Sequence, residues 1–184
     1  MKKVIYSVAL VASLFTLAAC GNDDAKEADT EAVATDKKEE TSSAANKDVY
    51  FDGETAKLKD VAVTIKETKV IPVGEPGNEY GDKPVLAIWY DAKNLSDKDI
   101  DPNTAWIAVF SAVQDNDPNA VNTLNVGMIP DQSHLDSQLK TIKKDGTVEN
   151  SIAYELDDLT TPVTLIATQG LGGDELGRKE IKVD

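Results

Sequence analysis

Two scarcities shape the chemistry open to this chain. Cys20 is its only cysteine and His134 its only histidine. A single thiol excludes a disulfide framework. A single imidazole removes HExxH zinc sites and multi-histidine metal clusters. A Ser-His-Asp set needs only one histidine, yet no G-x-S-x-G elbow occurs, and His134 lies in the polar stretch PDQSHLDSQ, where it reads as a surface residue. Basic residues are also short, 19 Lys and Arg against 33 Asp and Glu, for a formal net charge of −14. Nucleic acids are bound by clustered Lys and Arg that replace counterions, so this balance argues against DNA or RNA as partners. It equally argues against electrostatic attachment to anionic lipid, and it favours solubility. The glycines of GLGGDELG lack the third glycine of G-x-G-x-x-G, and no βαβ unit fits behind them. A mobile bend before a short last strand, RKEIKV, is the expected use of Gly170, Gly172, Gly173 and Gly177.

Long apolar runs are scarce too, with one exception at the start. Lys2 and Lys3 precede an uncharged apolar stretch from Val4 to Thr16, followed by Leu17, Ala18 and Ala19. The run is shorter than the roughly 20 residues a membrane span needs, and it has the layout of an export signal. Leu17-Ala18-Ala19-Cys20 resembles the lipobox of bacterial lipoproteins at all four positions. That resemblance implies a diacylglyceryl group on the Cys20 sulfur, cleavage just before Cys20, and a mature chain on the extracytoplasmic face of the cell membrane. Each buried methylene contributes about 0.8 kcal/mol, so the two acyl chains of such a group hold firmly where one would exchange. Residues 1–19 are therefore expected to be a lipoprotein signal peptide, Cys20 the lipid-attachment residue, and membrane lipid the first partner.

Residues 20–48 differ in kind. From residue 22 to 48 there are nine acids, four lysines, no aromatic, and only Val33 among the larger aliphatics. Such a segment buries too little apolar surface to offset its ordering entropy, so it is expected to be a disordered linker with a mean reach of roughly 30 Å. Ala, Glu and Lys favour a competing helix, but no apolar face exists to dock one.

Residues 49–184 have the length of one domain and a mostly period-two pattern bounded by turn residues. Val61, Val63 and Ile65 alternate, and Val70-Ile71 closes that segment before the turn-rich PVGEPGNEYGDKP. In VLAIWYDAKN, Leu86, Ile88 and Tyr90 fall on one face with Val85, Ala87 and Trp89 on the other, as in a central strand. Ile152, Tyr154 and Leu156 alternate in VENSIAYEL, and Val163, Leu165 and Ala167 in VTLIATQ. About seven short strands with regular turns predict an all-β fold, a two-sheet sandwich. DPNTAWIAVFSAVQD resists the scheme. It fits a helix with Asp101 as N-cap and Pro102 in its first position, and it equally fits a buried strand. The all-β surroundings favour a turn of helix entering a strand.

The ordered pieces WYDAKNLSDKDIDPNTAWIAVFSAVQD and DGTVENSIAYELDDLTTPVTLIA resemble an immunoglobulin-like domain of unknown function that many Gram-positive lipoproteins carry after a lipobox and an acidic tether. Asn94, Trp106, Gln114-Asp115, Tyr154 and Pro162-Val163 follow that family's order, and Lys144-Asp145-Gly146 stands where it has Pro-Gly. The resemblance covers most of residues 50–184. It implies an immunoglobulin-like antiparallel β-sandwich at the cell envelope, with no catalytic residue and no cofactor.

Remaining candidates carry competing readings. Asp97, Asp99 and Asp101 form a D-x-D-x-D run suited to calcium, but the EF-hand pattern wants Gly at 102 and Glu at 108, where Pro102 and Ala108 stand. Trp89, Tyr90, Trp106 and Phe110 would make a sugar-stacking platform if exposed, although each lies inside an apolar run that favours core packing. The stretch 117–138 is long for a sandwich loop, which makes it the first place to expect recognition. The expected role is non-catalytic binding or structure at the envelope, with an unknown envelope protein or glycan as partner. The rival is an envelope hydrolase, or an accessory to one, using two carboxylates about 5 to 10 Å apart.

Overall fold

The computed structural model describes residues 48–184; the signal peptide, Cys20 and nearly all of the linker lie outside the described residues. Within them the chain runs β1 (Tyr50–Phe51), β2 (Thr55–Lys57), β3 (Val61–Ile71), β4 (Val85–Asn94), α1 (Pro102–Val109), β5 (Phe110–Gln114), a 3-10 turn (Gln132–His134), β6 (Thr147–Glu155), β7 (Val163–Thr168) and β8 (Glu175–Ile181). Two antiparallel sheets result, ordered β1-β2-β3-β4-β6 and β5-β7-β8. This is an all-β sandwich with one short helix.

The alternating residues set the facing sides. Val61, Val63 and Ile65 from β3, Leu86, Ile88 and Tyr90 from β4, Ile152 and Tyr154 from β6, and Val163, Leu165 and Ala167 from β7 meet in one apolar core. Between Ile65 and Glu67 the β3–β4 register shifts, so Lys66 is the extra residue of a bulge. The bulge resets the side-chain phase. Val70 then leans on the main core, while Ile71 joins Val85, Ala87 and Ala153 in a second, smaller cluster on the opposite face. Apolarity on both faces of β4 thus reflects two packed faces.

Segment 102–114 is both of its sequence readings in succession. The Asp101 carboxylate caps α1, with Oδ1 accepting the Thr104 N–H (2.8 Å) and Oδ2 the Thr104 hydroxyl (2.7 Å), and Pro102 opens the first turn. The backbone turns extended at Phe110 (φ −118°, ψ 140°), where β-favouring residues take over. α1 contacts strands of both sheets. It plants Trp106 in the core, fully buried, 4.6 Å from the Tyr90 ring and 4.7 Å from Phe110. The Trp106 Nε1–H donates to the Tyr154 hydroxyl at 2.8 Å, and the Tyr90 hydroxyl donates to the Pro102 carbonyl at 3.0 Å.

One expectation about strands needs correction. The last strand begins at Glu175, not in RKEIKV, and Gly177 lies inside it. A Cβ at Gly177 would come 3.3 Å from the Phe51 ring, which in turn packs edge-on against Phe110 at 5.4 Å. The glycine makes room for that seam, where β1 and β8 meet.

Residues 122–127 close the other seam. The Gln114 and Leu124 N–H groups donate to the Asn122 and Ala112 carbonyls, which attaches this segment to the edge of β5. The Glu155 and Gly127 N–H groups donate to the Asn125 and Ala153 carbonyls, which attaches it to the edge of β6. One crossing segment therefore covers an edge of each sheet.

Removing the indole donor by Trp106→Phe should cost about 2–4 kcal/mol, from lost packing and an unpaired Tyr154 hydroxyl. Tyr154→Phe should cost about 1–3 kcal/mol. Urea denaturation of the double variant should show a loss smaller than the sum of the two.

Candidate functional site

The residues singled out as chemical candidates are mostly occupied with structure. Asp97 is exposed and pairs with the Lys144 ammonium at 2.8 Å, and Asp101 is the helix cap. The aspartate run is thereby pulled apart, and among the described residues no three His, Cys, Asp or Glu side chains converge as a metal site would require. His134 is half-buried rather than a surface residue, with Nδ1 3.0 Å from the Ser151 hydroxyl. The nearby Asp131 does not complete a catalytic relay. Its Oδ1 accepts from the Ser133 hydroxyl and N–H, and its Oδ2 from the Trp89 indole at 3.0 Å. Ser151 is itself buried.

Electrostatics bear on the hydrolase reading. The carboxylates displaced from their usual range all move down. The Ser133 hydroxyl and the Trp89 indole hold Asp131 at about 2. The Thr161 N–H, the Asn116 amide and the Thr160 N–H hold Asp158 well below the usual range. Lys83 lowers Asp157, and Lys98 lowers Asp60. A general acid needs the opposite shift. Burial pushes the Tyr154 hydroxyl up to about 12, against the opposing hydrogen bond from Trp106.

The aromatic residues divide. Tyr90, Trp106 and Phe110 are core. Trp89 is half-buried on the reverse face, beside the second cluster. Residues 127–138 lie over that face. A Cβ on Gly127 would touch Val85 and Glu155 at 3.5 and 3.6 Å, Asp131 binds Trp89, and His134 meets Ser151. The stretch 117–138 is therefore largely a strap and a seam, which its length alone did not reveal.

Three buried carboxamides were missed as structural elements. Gln114 Nε2 donates to the Asp158 and Thr161 carbonyls (3.1 and 2.8 Å), and its Oε1 accepts the Asp157 N–H (2.8 Å). Asn94 Nδ2 donates to the Lys98 and Ile142 carbonyls, and its Oδ1 accepts the Ser96 N–H. Asn78 Nδ2 donates to the Ile71 and Lys83 carbonyls. Each amide clamps a loop. For Asn94 and Gln114 the available signal was an amide at an apolar strand's end before turn residues, whereas Asn78 lies within its loop and carried none.

Among the clefts on the described residues, two lie at opposite ends of the sandwich. One is a cleft of about 340 Å³ beside α1, walled by Leu58, Val61, Ile100, Ala105 and Ala108 with Lys59 at its rim. The other is a cleft of about 360 Å³ at the far end of the sandwich, between Gly77–Tyr80 and Met128–Gln132.

The profile of a domain of unknown function (DUF5067) matches residues 36–169. The chain belongs to this family. The matched span contains Asn94, Trp106, Gln114 and Tyr154, whose side chains hold the fold of this DUF5067 member. A solved structure of a "putative lipoprotein" from Staphylococcus aureus subsp. aureus NCTC 8325 is similar, with a TM-score of 0.62 and 20% identity over 74% of this chain and 92% of that one. At that identity the likeness shows a shared fold. No curated protein matches. No helix among the described residues is long and apolar enough to cross a membrane.

The depressed Asp131 carboxyl stabilises the fold fully above its ordinary value near 3.8, and the contribution disappears as the pH falls through about 2. Asp131→Asn should therefore lower the melting temperature at pH 7, with the gap to wild type closing between about pH 4 and pH 2.

Proposed function

We propose that this DUF5067 chain is a lipoprotein anchored through Cys20 on the extracytoplasmic face of the membrane, displaying an immunoglobulin-like sandwich with a non-catalytic binding role at the envelope. The observation that carries the reading is the commitment of the polar side chains around His134, the aspartate run and the strand ends to structural hydrogen bonds. Asp131, Asp101, His134 and Gln114 hold turns, a cap and a strap. The general acid of a carboxylate pair would need a proton that Asp131, Asp157 and Asp158 do not retain at neutral pH.

The strand order supports the immunoglobulin-like assignment. Taking β3, β4 and β6 as strands A, B and E, and β5, β7 and β8 as C, F and G, gives the two-sheet order of that fold without its D strand and with β1 and β2 added beyond A. The path of the chain supports display. Tyr50 pairs with Lys57, beside the turn at 58–60, so the chain joins the sandwich at one end. Loops 72–84, 115–122 and 156–162 gather at the other, where Ile71 pairs with Val85 and Val85 with Glu155. A tether from Cys20 would therefore reach the domain at the end opposite these loops.

Cys20→Ala should release the protein into the medium or leave an uncleaved precursor, while the wild type partitions with membranes and carries the mass of a diacylglyceryl group. A Cys20→Ala chain still cleaved and firmly membrane-bound, or a wild-type amino terminus elsewhere than residue 20, would refute the anchor.

A further inference from the structure

The end of the sandwich remote from Tyr50 has an unusual surface. Among the described residues ten large apolar side chains are exposed, and six belong to this end: Val73, Tyr80, Val121, Val126, Met128 and Leu159. Tyr80 is 84% exposed and Val121 78%, so neither contributes to the core. The rim is acidic. Loops 72–84, 115–122 and 156–162 carry seven carboxylates and one lysine, whereas the turns at the opposite end (58–60, 95–101, 141–146 and 169–174) carry six and four. Lys83, the lone cation in these three loops, is already paired with Asp157.

This end is also stiff. The Asn78 amide clamps the 72–84 loop across its base. Gly77 (φ +93°) lies so close to the neighbouring strap that a Cβ would stand 2.5 Å from the Pro130 carbonyl oxygen, and a Cβ on Gly81 would collide with the Asn78 side chain. Asn122 Nδ2 donates to Asp157 and Asn116, and Asn116 Nδ2 to Asp158, joining the other loops into the same surface. A frame this tightly tied holds Tyr80 and Met128 on either side of one cleft. Tyr and Met are enriched where proteins dock, and a preorganised surface loses less entropy on binding.

We infer that this pole is a docking surface for a protein partner whose contact region is basic with an apolar centre. Charge decides among occupants. A second copy would bring the same carboxylates face to face, and an anionic lipid surface would be repelled. A basic protein surface gains both the apolar contact and long-range attraction across the rim. The inference rests on the display reading for its setting, but it can be tested without the anchor.

Calorimetric titration of the purified full chain would compare three probes: a twelve-residue Lys/Leu peptide, an all-lysine peptide of the same length, and an N-acetylglucosamine tetramer. The Lys/Leu peptide should bind, weaken at least tenfold between about 50 and 500 mM salt, and weaken about tenfold or more with Tyr80→Ser or Met128→Ser. Ile107→Ser and Leu171→Ser, elsewhere on the surface, should leave it unchanged. The melting temperature of Tyr80→Ser should match wild type, since the ring is outside the core. No binding, equal binding of the all-lysine peptide, indifference to Tyr80→Ser and Met128→Ser, or binding of the tetramer alone would each overturn the inference. None of these outcomes bears on whether Cys20 is lipidated, so the two readings fail separately.

Discussion

Trp106 is the side chain on which the two layers agree. Its indole has one proton to give, and inside the core that proton goes to Tyr154 of the first sheet, while its ring lies against Phe110 at the start of the second. An indole N–H buried without a partner would cost about 1–3 kcal/mol, so the tyrosine sets the depth at which the helix sits. Tyr90 reinforces the arrangement by holding the first turn of α1 through the Pro102 carbonyl. A helix of eight residues has little stability alone, and its place is secured by this aromatic group and the Asp101 cap.

The buried carboxamides extend the same logic to the loops. A primary amide has two donors on one nitrogen, which lets Gln114, Asn94 and Asn78 each hold two backbone carbonyls. A carboxylate of the same shape has no donor at all. The loops therefore have defined shapes with little regular structure of their own.

The strongest periodic segments were legible because their apolar side chains meet one core: 61–65, 85–90, 152–156 and 163–167 all took their expected faces. Asp101 and Pro102 marked the helix start for local reasons that need no tertiary context. What stayed hidden depended on distant neighbours. The bulge at Lys66 changes which side Ile71 occupies, and nothing in the local alternation announces it. β1 and β2 are too short to carry a pattern. Gly177 looked like part of a bend because Phe51, the reason for it, lies more than a hundred residues earlier. His134 and the 117–138 stretch looked free for the same reason, since their partners are on β4, β5 and β6. Asp97 and Asp101 are near in sequence but have separate tasks, an ion pair with Lys144 and a helix cap.

If the module is held by its amino end, as proposed for Cys20, the shortness of β1 has a mechanical meaning. Tension arriving at Tyr50 meets a two-residue pairing followed by a three-residue one, before it reaches the eleven residues of β3. Under load these few pairings would give way before the longer ladder between β3 and β4. Freeing residues 50–57 would lengthen the leash by up to about 28 Å, while Trp106 and the cross-stitched seam at 122–127 kept the rest of the sandwich shut.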